Sequence, residues 1–252
     1  MDINKYKKEL AEKGYTVIPS VLSSEELAFA KEKFFEWKKT IPDIDKIHSQ
    51  INPHNIFKFH EAGHQEFAWF IRTRPKVIEI FKKIWETDEL VTSFDGSCYM
   101  PKKLAKKDNV WTHTDQAPCK TNFECLQGFV ALTSNLNTSL VVYEGSHKLH
   151  YEYFRSMGIT HKSNWNKINQ TYLDHIKLSK KVLQVDAGSL VLWDSRTFHQ
   201  NQYGFPYCED RIVQYVCYLP RTHSKNTTSI HSKRLHYFNT MRTTSHWPCP
   251  VY

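Results

Sequence analysis

The hydrophobic period of the chain changes once, near residue 90, and divides it into a helical front and a strand-rich back. In the front, Ile3–Lys13 reads as a short helix that Gly14 ends. Tyr15-Thr16-Val17-Ile18 then reads as a strand, stopped by Pro19. Ser23-Ser24-Glu25-Glu26 sets a hydroxyl cap ahead of first-turn acids, which is a helix start, and Leu27, Phe34 and Trp37 carry that helix to about Lys39. A second helical stretch covers about Glu66–Trp85, broken near Pro75, with Val77, Ile80, Phe81 and Ile84 on one face.

From Leu90 onward the period is two. Strands are predicted over Leu90–Tyr99, Leu126–Thr133, Ser139–Tyr143, Lys181–Val185, Ser189–Asp194 and Arg211–Leu219, separated by Pro, Gly, Asn and Asp. Strands this dense, without regular intervening helices, predict an antiparallel barrel or sandwich rather than a doubly wound sheet. No repeat or Gly/Ser-rich linker divides the chain. One domain over 1–252 is expected, with a helical front (1–89), a β-barrel core (90–220) and a basic C-terminal extension (221–252).

Composition sharpens this. Hydrophobic residues make up 40% and aromatics 14%, enough for a large core, which excludes a disordered chain. There is no apolar run of about 18 residues to span a membrane, and the N-terminus has no secretory apolar region, so a cytoplasmic location is expected. The six cysteines form no CxxC pair, which argues against a zinc ribbon or thioredoxin motif and for reduced packing thiols. Net charge is +8, and residues 221–252 hold Arg221, Lys225, Lys233, Arg234 and Arg242 with no acid. Such a tail can meet nucleic acid, anionic lipid or an acidic substrate. Because dense Lys/Arg runs and interleaved aromatics are sparse, a solvated tail is the plainer reading and a nucleic-acid partner is not favoured.

The strongest candidate chemistry is His113-Thr114-Asp115 with Phe198-His199 downstream. Two imidazoles and one carboxylate can occupy one face of an octahedral metal and leave the opposite face open, the arrangement of non-haem Fe(II) oxygenases. With 14 histidines in the chain, His-x-Asp alone is weak. His64-x-Glu66 and His150-x-Glu152 are decoys, read as a solvated helix start and a surface turn. His113 and Asp115 lie instead in a loop between strands, and a strand leads into His199. Arg211 opens a strand twelve residues after His199, and Gly204 and Pro206 between them suggest a hairpin that would bring Arg211 beside the metal edge. A guanidinium there suits the distal carboxylate of 2-oxoglutarate. The plain alternative is an edge-strand arginine paired with Asp210 or Glu209. His60 and His64 are four apart but lack His-Glu-x-x-His, and no phosphate loop or GxSxG elbow occurs.

Over roughly residues 14–220 the chain resembles the phytanoyl-CoA dioxygenase family of Fe(II)- and 2-oxoglutarate-dependent oxygenases. The resemblance runs through Gly14–Leu27, Trp111-Thr112-His113-Thr114-Asp115, Gln127–Leu132, Ser139–Lys148 with its Gly-Ser-His turn, and Gly188–Asn201 followed by Arg211. It implies a mainly β fold with flanking helices, a double-stranded β-helix (a jelly-roll or cupin-like barrel) open at one end. It implies that His113, Asp115 and His199 bind Fe(II) and that Arg211 binds 2-oxoglutarate. Asn201, two residues after the distal histidine, would be a small polar contact to the co-substrate. Tyr99 is a further candidate for that pocket, against an ordinary strand tyrosine. The activity implied is hydroxylation of a small molecule by O2, with decarboxylation of 2-oxoglutarate to succinate and CO2 and with ascorbate stimulatory. The basic surface would suit an anionic substrate. Rival readings are a protein or nucleic-acid oxygenase using the same triad, and a non-catalytic barrel with a vestigial metal site. Two departures from the family pattern are Trp111, two before His113 rather than one, and Glu144 in place of a proline. Asp115 argues against a halogenase. Thr243–Pro248 has no counterpart in the pattern and reads as a structural clamp or as a flap carrying Trp247 onto substrate.

Overall fold

The computed structural model describes residues 2–102, 110–203 and 209–249. Helix α1 (Ile3–Lys13) begins on the Asp2 carboxylate, which accepts from the Lys5 amide, and ends at Gly14. Gly14 has φ +85°, and a Cβ there would lie 2.5 Å from His147 Nδ1, so only glycine serves. The chain continues through β1 (Tyr15–Ile18) and α2 (Ser24–Lys39), the latter started by a reciprocal capping box between Ser23 and Glu26. After α3 (Ile44–Ile51) come α4 (Glu66–Arg72) and α5 (Pro75–Trp85), with Pro75 as the first residue of α5, where its missing N–H costs nothing. Then follow β2 (Leu90–Thr92), β3 (Ser97–Met100), β4 (His113–Thr114), β5 (Leu126–Ala131), β6 (Leu140–Tyr143), α6 (His150–Ser156), β7 (Asn166–Lys167), α7 (Gln170–His175), β8 (Lys180–Val182), β9 (Leu190–Asp194), β10 (His199–Asn201), β11 (Arg211–Pro220) and α8 (Thr228–Asn239).

The strands form two antiparallel sheets. The larger runs β1-β9-β5-β11-β2, with β3 also paired to β11; the smaller runs β7-β4-β10-β6-β8. Among the described residues the sheets do not close into one ring, but their inner faces share a core. Phe129, Val191, Trp193, Val213 and Tyr215 enter it from the larger sheet and Leu140 and Val142 from the smaller. This is the expected mainly β jelly-roll. Alternation along β11 sends Ile212, Val216 and Tyr218 to the opposite face, where they meet Phe34, Phe67, Ile71, Val77, Ile80 and Phe81 of the helical front. Each such fully buried side chain contributes roughly 1.5–3 kcal/mol, so the helices fix the larger sheet from outside and leave its inner face to the site.

Helices α3, α6, α7 and α8 are additions to the sequence reading, and two further differences bear on the site. The strand expected over 90–99 is two, β2 and β3, which pair with separate parts of β11. Between them Asp95 turns to bridge Thr244, and Gly96 lies so close to Phe57 that a Cβ would meet its carbonyl oxygen at 1.8 Å. The second difference is the basic extension, whose cations partly face inward. Lys225 pairs with Glu124 at 2.6 Å and lies over the Trp247 ring; Arg234 donates to the Pro248 and Thr92 carbonyls. Cys98, Cys125, Cys217 and Cys249 are buried free thiols, as packing groups should be, whereas Cys119 is exposed. The hairpin expected at Gly204 and Pro206 lies outside the described residues. Among those described, no helix is long and apolar enough to cross a membrane.

Candidate metal centre

The antiparallel pairing of β4 with β10 places His113 directly opposite His199, with ring centroids 4.3 Å apart. The first histidine therefore lies on a short strand rather than in the expected loop. Asp115, two residues on, returns to the same side. Its amide donates to Ser195 O at 2.9 Å, and its carbonyl accepts from Trp247 Nε1 at 3.0 Å. Its Oδ2 then lies 3.6 Å from His113 Nε2 and 3.2 Å from His199 Nε2. All three side chains are buried, and their available ligand atoms lie within 4.8 Å of one another.

The outer nitrogens settle what the inner ones can do. His113 Nδ1 faces Trp111 O at 3.1 Å, and His199 Nδ1 faces Thr197 O at 2.8 Å. A carbonyl only accepts, so each Nδ1 carries the proton and each Nε2 turns a lone pair toward the carboxylate. Both Asp115 oxygens are buried without a hydrogen-bond partner among the described residues. Converging lone pairs with no proton between them are what a divalent cation satisfies. Burial alone would raise the Asp115 pKa, but positive charge on His246 and His113, together with His199, whenever those rings are protonated, outweighs it and holds the carboxylate well below its usual range, so metal displaces protons from the rings and not from Asp115. Burial, followed by His199, lowers the pKa of His113. Both shifts favour the deprotonated forms that ligate metal.

Trp111 is buried and stacks on His113 at 4.7 Å and on His54 at 3.6 Å. Its position two before the histidine thus makes it a wall of the site. Glu144, the other departure, accepts from the Tyr15 hydroxyl at 2.9 Å and is structural.

Arg211 is fully buried on β11, which is an interior strand and not an edge. Its Nε donates to Asn135 Oδ1 at 3.0 Å and its Nη1 to Cys98 Sγ at 3.2 Å, while Nη2 has no partner among the described residues. The alternative pairing is absent: Asp210 accepts from the Lys102 amide, and Glu209 accepts from the amides of residues 136–138. Among the described residues no carboxylate compensates this guanidinium, which is costly unless an anion arrives. Asn201 lines the pocket and donates to Tyr215 OH at 3.2 Å, beside Cys98. Burial pushes the Cys98 thiol and the Tyr215 phenol up, so both remain neutral next to Arg211.

The candidate Tyr99 is corrected. It pairs across from Ile212 and shares that residue's helix-facing side, packing on Phe34 and His48 under the Lys38 ammonium. Its neighbour Cys98 has the inward position. His64 and His150 are also corrected, from solvated to buried: His64 faces Arg242 O, and His150 supports Gln116 O just beyond Asp115. Glu66 and Glu152 are exposed, as expected.

The pocket over the triad has a volume of about 80 Å³ and is walled by Trp111, Trp165, Trp193, Tyr215 and His246, with exposed Lys58 at its rim. A larger groove of about 460 Å³ beside α1 shares no residue with it and holds no such ligand set. Trp247 is buried and is a clamp on Asp115, not a flap over substrate. Sequence reasoning missed His246 and Tyr215. Alternation from Arg211 could have placed Tyr215 on the inner face; nothing local marked His246.

The family described as phytanoyl-CoA dioxygenase (PhyH) matches residues 10–202. The chain belongs to that family. It is an Fe(II)- and 2-oxoglutarate-dependent oxygenase by that membership, and iron and 2-oxoglutarate are its cofactors. It is 28% identical over 241 residues to Ava biosynthesis cluster protein O of Aspergillus versicolor, a match spanning 86% of this chain and 77% of that one. Among solved structures it resembles EctD from S. alaskensis with 2-oxoglutarate and 5-hydroxyectoine, at TM-score 0.61 and 14% identity over 87% of this chain and 76% of that one. It also resembles the epimerase SnoN in complex with Fe3+ and alpha ketoglutarate, at TM-score 0.56 and 15% identity over 87% and 84%. At these identities the structural likeness speaks for the fold alone.

Proposed function

We propose that this enzyme hydroxylates a C–H bond of a small-molecule substrate, with Fe(II) held by His113, Asp115 and His199 and 2-oxoglutarate anchored through Arg211. The observation that carries the reading is the convergence of two Nε2 lone pairs on a buried Asp115 carboxylate that has no hydrogen-bond partner among the described residues, with both histidines lining a pocket. When bound, the metal and co-substrate supply O2 activation, with 2-oxoglutarate leaving as succinate and CO2.

The chain's own residues do the rest. Trp111 O and Thr197 O hold the imidazoles in the ligating tautomer. Ser195 and Trp247 fix the Asp115 backbone, so the carboxylate is placed before metal arrives. Arg211, buried with Nη2 unused, receives the distal carboxylate, and Asn201 and Tyr215 line the approach. Trp111, Trp165 and Trp193 exclude water from the reacting atoms. Trp165 is exposed although its ring lies 5.5 Å from that of His113, which suits a contact that substrate covers. Lys58 at the rim and the net charge of +8 support an anionic substrate.

Anaerobic addition of Fe(II) and then 2-oxoglutarate should produce a weak visible charge-transfer band, absent in His199→Ala. Succinate release across a metabolite library then finds the substrate. A product heavier by one oxygen supports hydroxylation; an isomer of unchanged mass would replace it with epimerisation, the reaction SnoN is named for.

A further inference from the structure

The C-terminal stretch reaches the site through a residue that no motif marked. His246 Nε2 lies 3.8 Å from Asp115 Oδ1, on the side of the carboxylate away from the two histidines that face Oδ2. We infer that His246 is a positioning residue for the metal centre: it holds Oδ1 on the outer side and so commits Oδ2 to the ion. This rests on the metal-centre reading of His113, Asp115 and His199.

Four observations support it. Asp115 Oδ1 is buried without a hydrogen-bond partner among the described residues, and a buried carboxylate oxygen left so is costly. An inward shift of roughly 0.8 Å brings the His246 N–H to hydrogen-bond distance. Second, the stretch carrying His246 is pinned on both sides. Thr244 exchanges hydrogen bonds with the Phe94 backbone at 2.8 and 2.9 Å, and Trp247 donates to Asp115 O. Beyond it, Arg234 holds Pro248 O. Third, His246 has φ +59°, a left-handed backbone that a non-glycine residue keeps only where its surroundings impose it. That turn sends its ring into the pocket, edge-on to Tyr215. His246 is also not one of the clustered ligand atoms, which fits an outer role and leaves the open coordination positions to substrate and O2.

The test is Co(II) titration of the metal-free protein, wild type against His246→Ala, His246→Gln and His199→Ala, with calorimetric affinity and visible spectra as readouts and thermal melts of the metal-free forms as a control. His246→Ala should weaken Co(II) binding by roughly 10- to 100-fold, the usual effect of losing an outer-shell partner, with little change in its metal-free melt. His246→Gln, which keeps an N–H donor at similar reach, should recover most of the affinity. Equal affinity of wild type and His246→Ala would overturn the inference while leaving the metal centre standing. A changed Co(II) coordination spectrum in His246→Ala would also overturn it, by making His246 a ligand. Wild-type protein that takes up no Co(II) would instead remove the metal-centre reading, and this inference with it.

Discussion

His199 Nε2 and Asp115 Oδ2 lie 3.2 Å apart with no proton between them, because the one proton of a neutral His199 ring is committed through Nδ1 to Thr197 O. Two buried lone pairs at that distance repel, and a cation reverses the sign. Fe(II) or Co(II) should therefore stabilise the fold: at a hundredfold excess over its dissociation constant by about 2.7 kcal/mol, or roughly 5–10 °C in a chain of this size. Calorimetric melts with and without chelator measure it. Asp115→Asn supplies an amide N–H to the facing imidazoles, so its metal-free form should melt no lower than wild type and should gain nothing from metal. A metal-dependent rise retained in Asp115→Asn would contradict the assignment.

Arg211 gives a second, separable expectation. Its fully buried guanidinium has Asn135 and Cys98 as partners and an idle Nη2. Losing one member of a buried charge pair costs about 2–5 kcal/mol. Arg211→Met should thus raise the 2-oxoglutarate KM by at least about 30-fold and change kcat much less. In addition, 2-oxoglutarate should raise the melting temperature of metal-loaded wild type but not of this variant. Unchanged co-substrate affinity would release Arg211 from the role.

Trp247 tests whether the C-terminal stretch is structural. It is buried, lies against Cys125, Cys217 and Leu219, and donates to Asp115 O. Trp247→Ala should cost about 3–5 kcal/mol, visible as a lowered midpoint in urea unfolding. Trp247→Phe keeps much of the packing but loses the hydrogen bond, so it should lower metal affinity more than stability. A Trp247→Ala variant as stable as wild type would mean the stretch only rests on the surface.

The pattern of what was legible follows the range of the interactions. The first two helices and β1 are written locally, in Gly14, in the Ser23–Glu26 box and in the apolar spacing that follows, and the structure has them over the same residues. His113, Asp115 and His199 were readable because the short His-x-Asp spacing and the strand into His199 survive as sequence. Tyr99 was misplaced because its direction depends on the register of β3 on β11, which pairs it with Ile212 and is set by the sheet, not by the segment. The break between β2 and β3 has a local mark in Asp95-Gly96, but its position is also held by Thr244, about 150 positions away, bridging Asp95. His246 follows from that same distant contact, and the burial of His64 and His150 leaves no local trace in the sequence.

Buried histidines away from the triad set the acid limit of the fold. His48 is the clearest: its Nδ1 accepts from Asn52 Nδ2, its Nε2 faces Tyr99 O, and its ring stacks on Phe57 at 3.9 Å. Desolvation lowers its pKa to about 4, and burial also lowers those of His64, His147 and His150. A histidine depressed in the folded state binds its proton more readily when unfolded, so the unfolded chain takes up more protons as pH falls below the usual value near 6.5. Stability should therefore hold above pH ~6.5 and decline progressively from there toward about pH 4, where His48 itself protonates in the fold. Urea midpoints across that range measure the slope in metal-free protein. His48→Gln keeps a donor for Tyr99 O and removes one titrating group, so it should flatten the decline even if it lowers the plateau. A slope identical to wild type would show that His48 does not contribute to it.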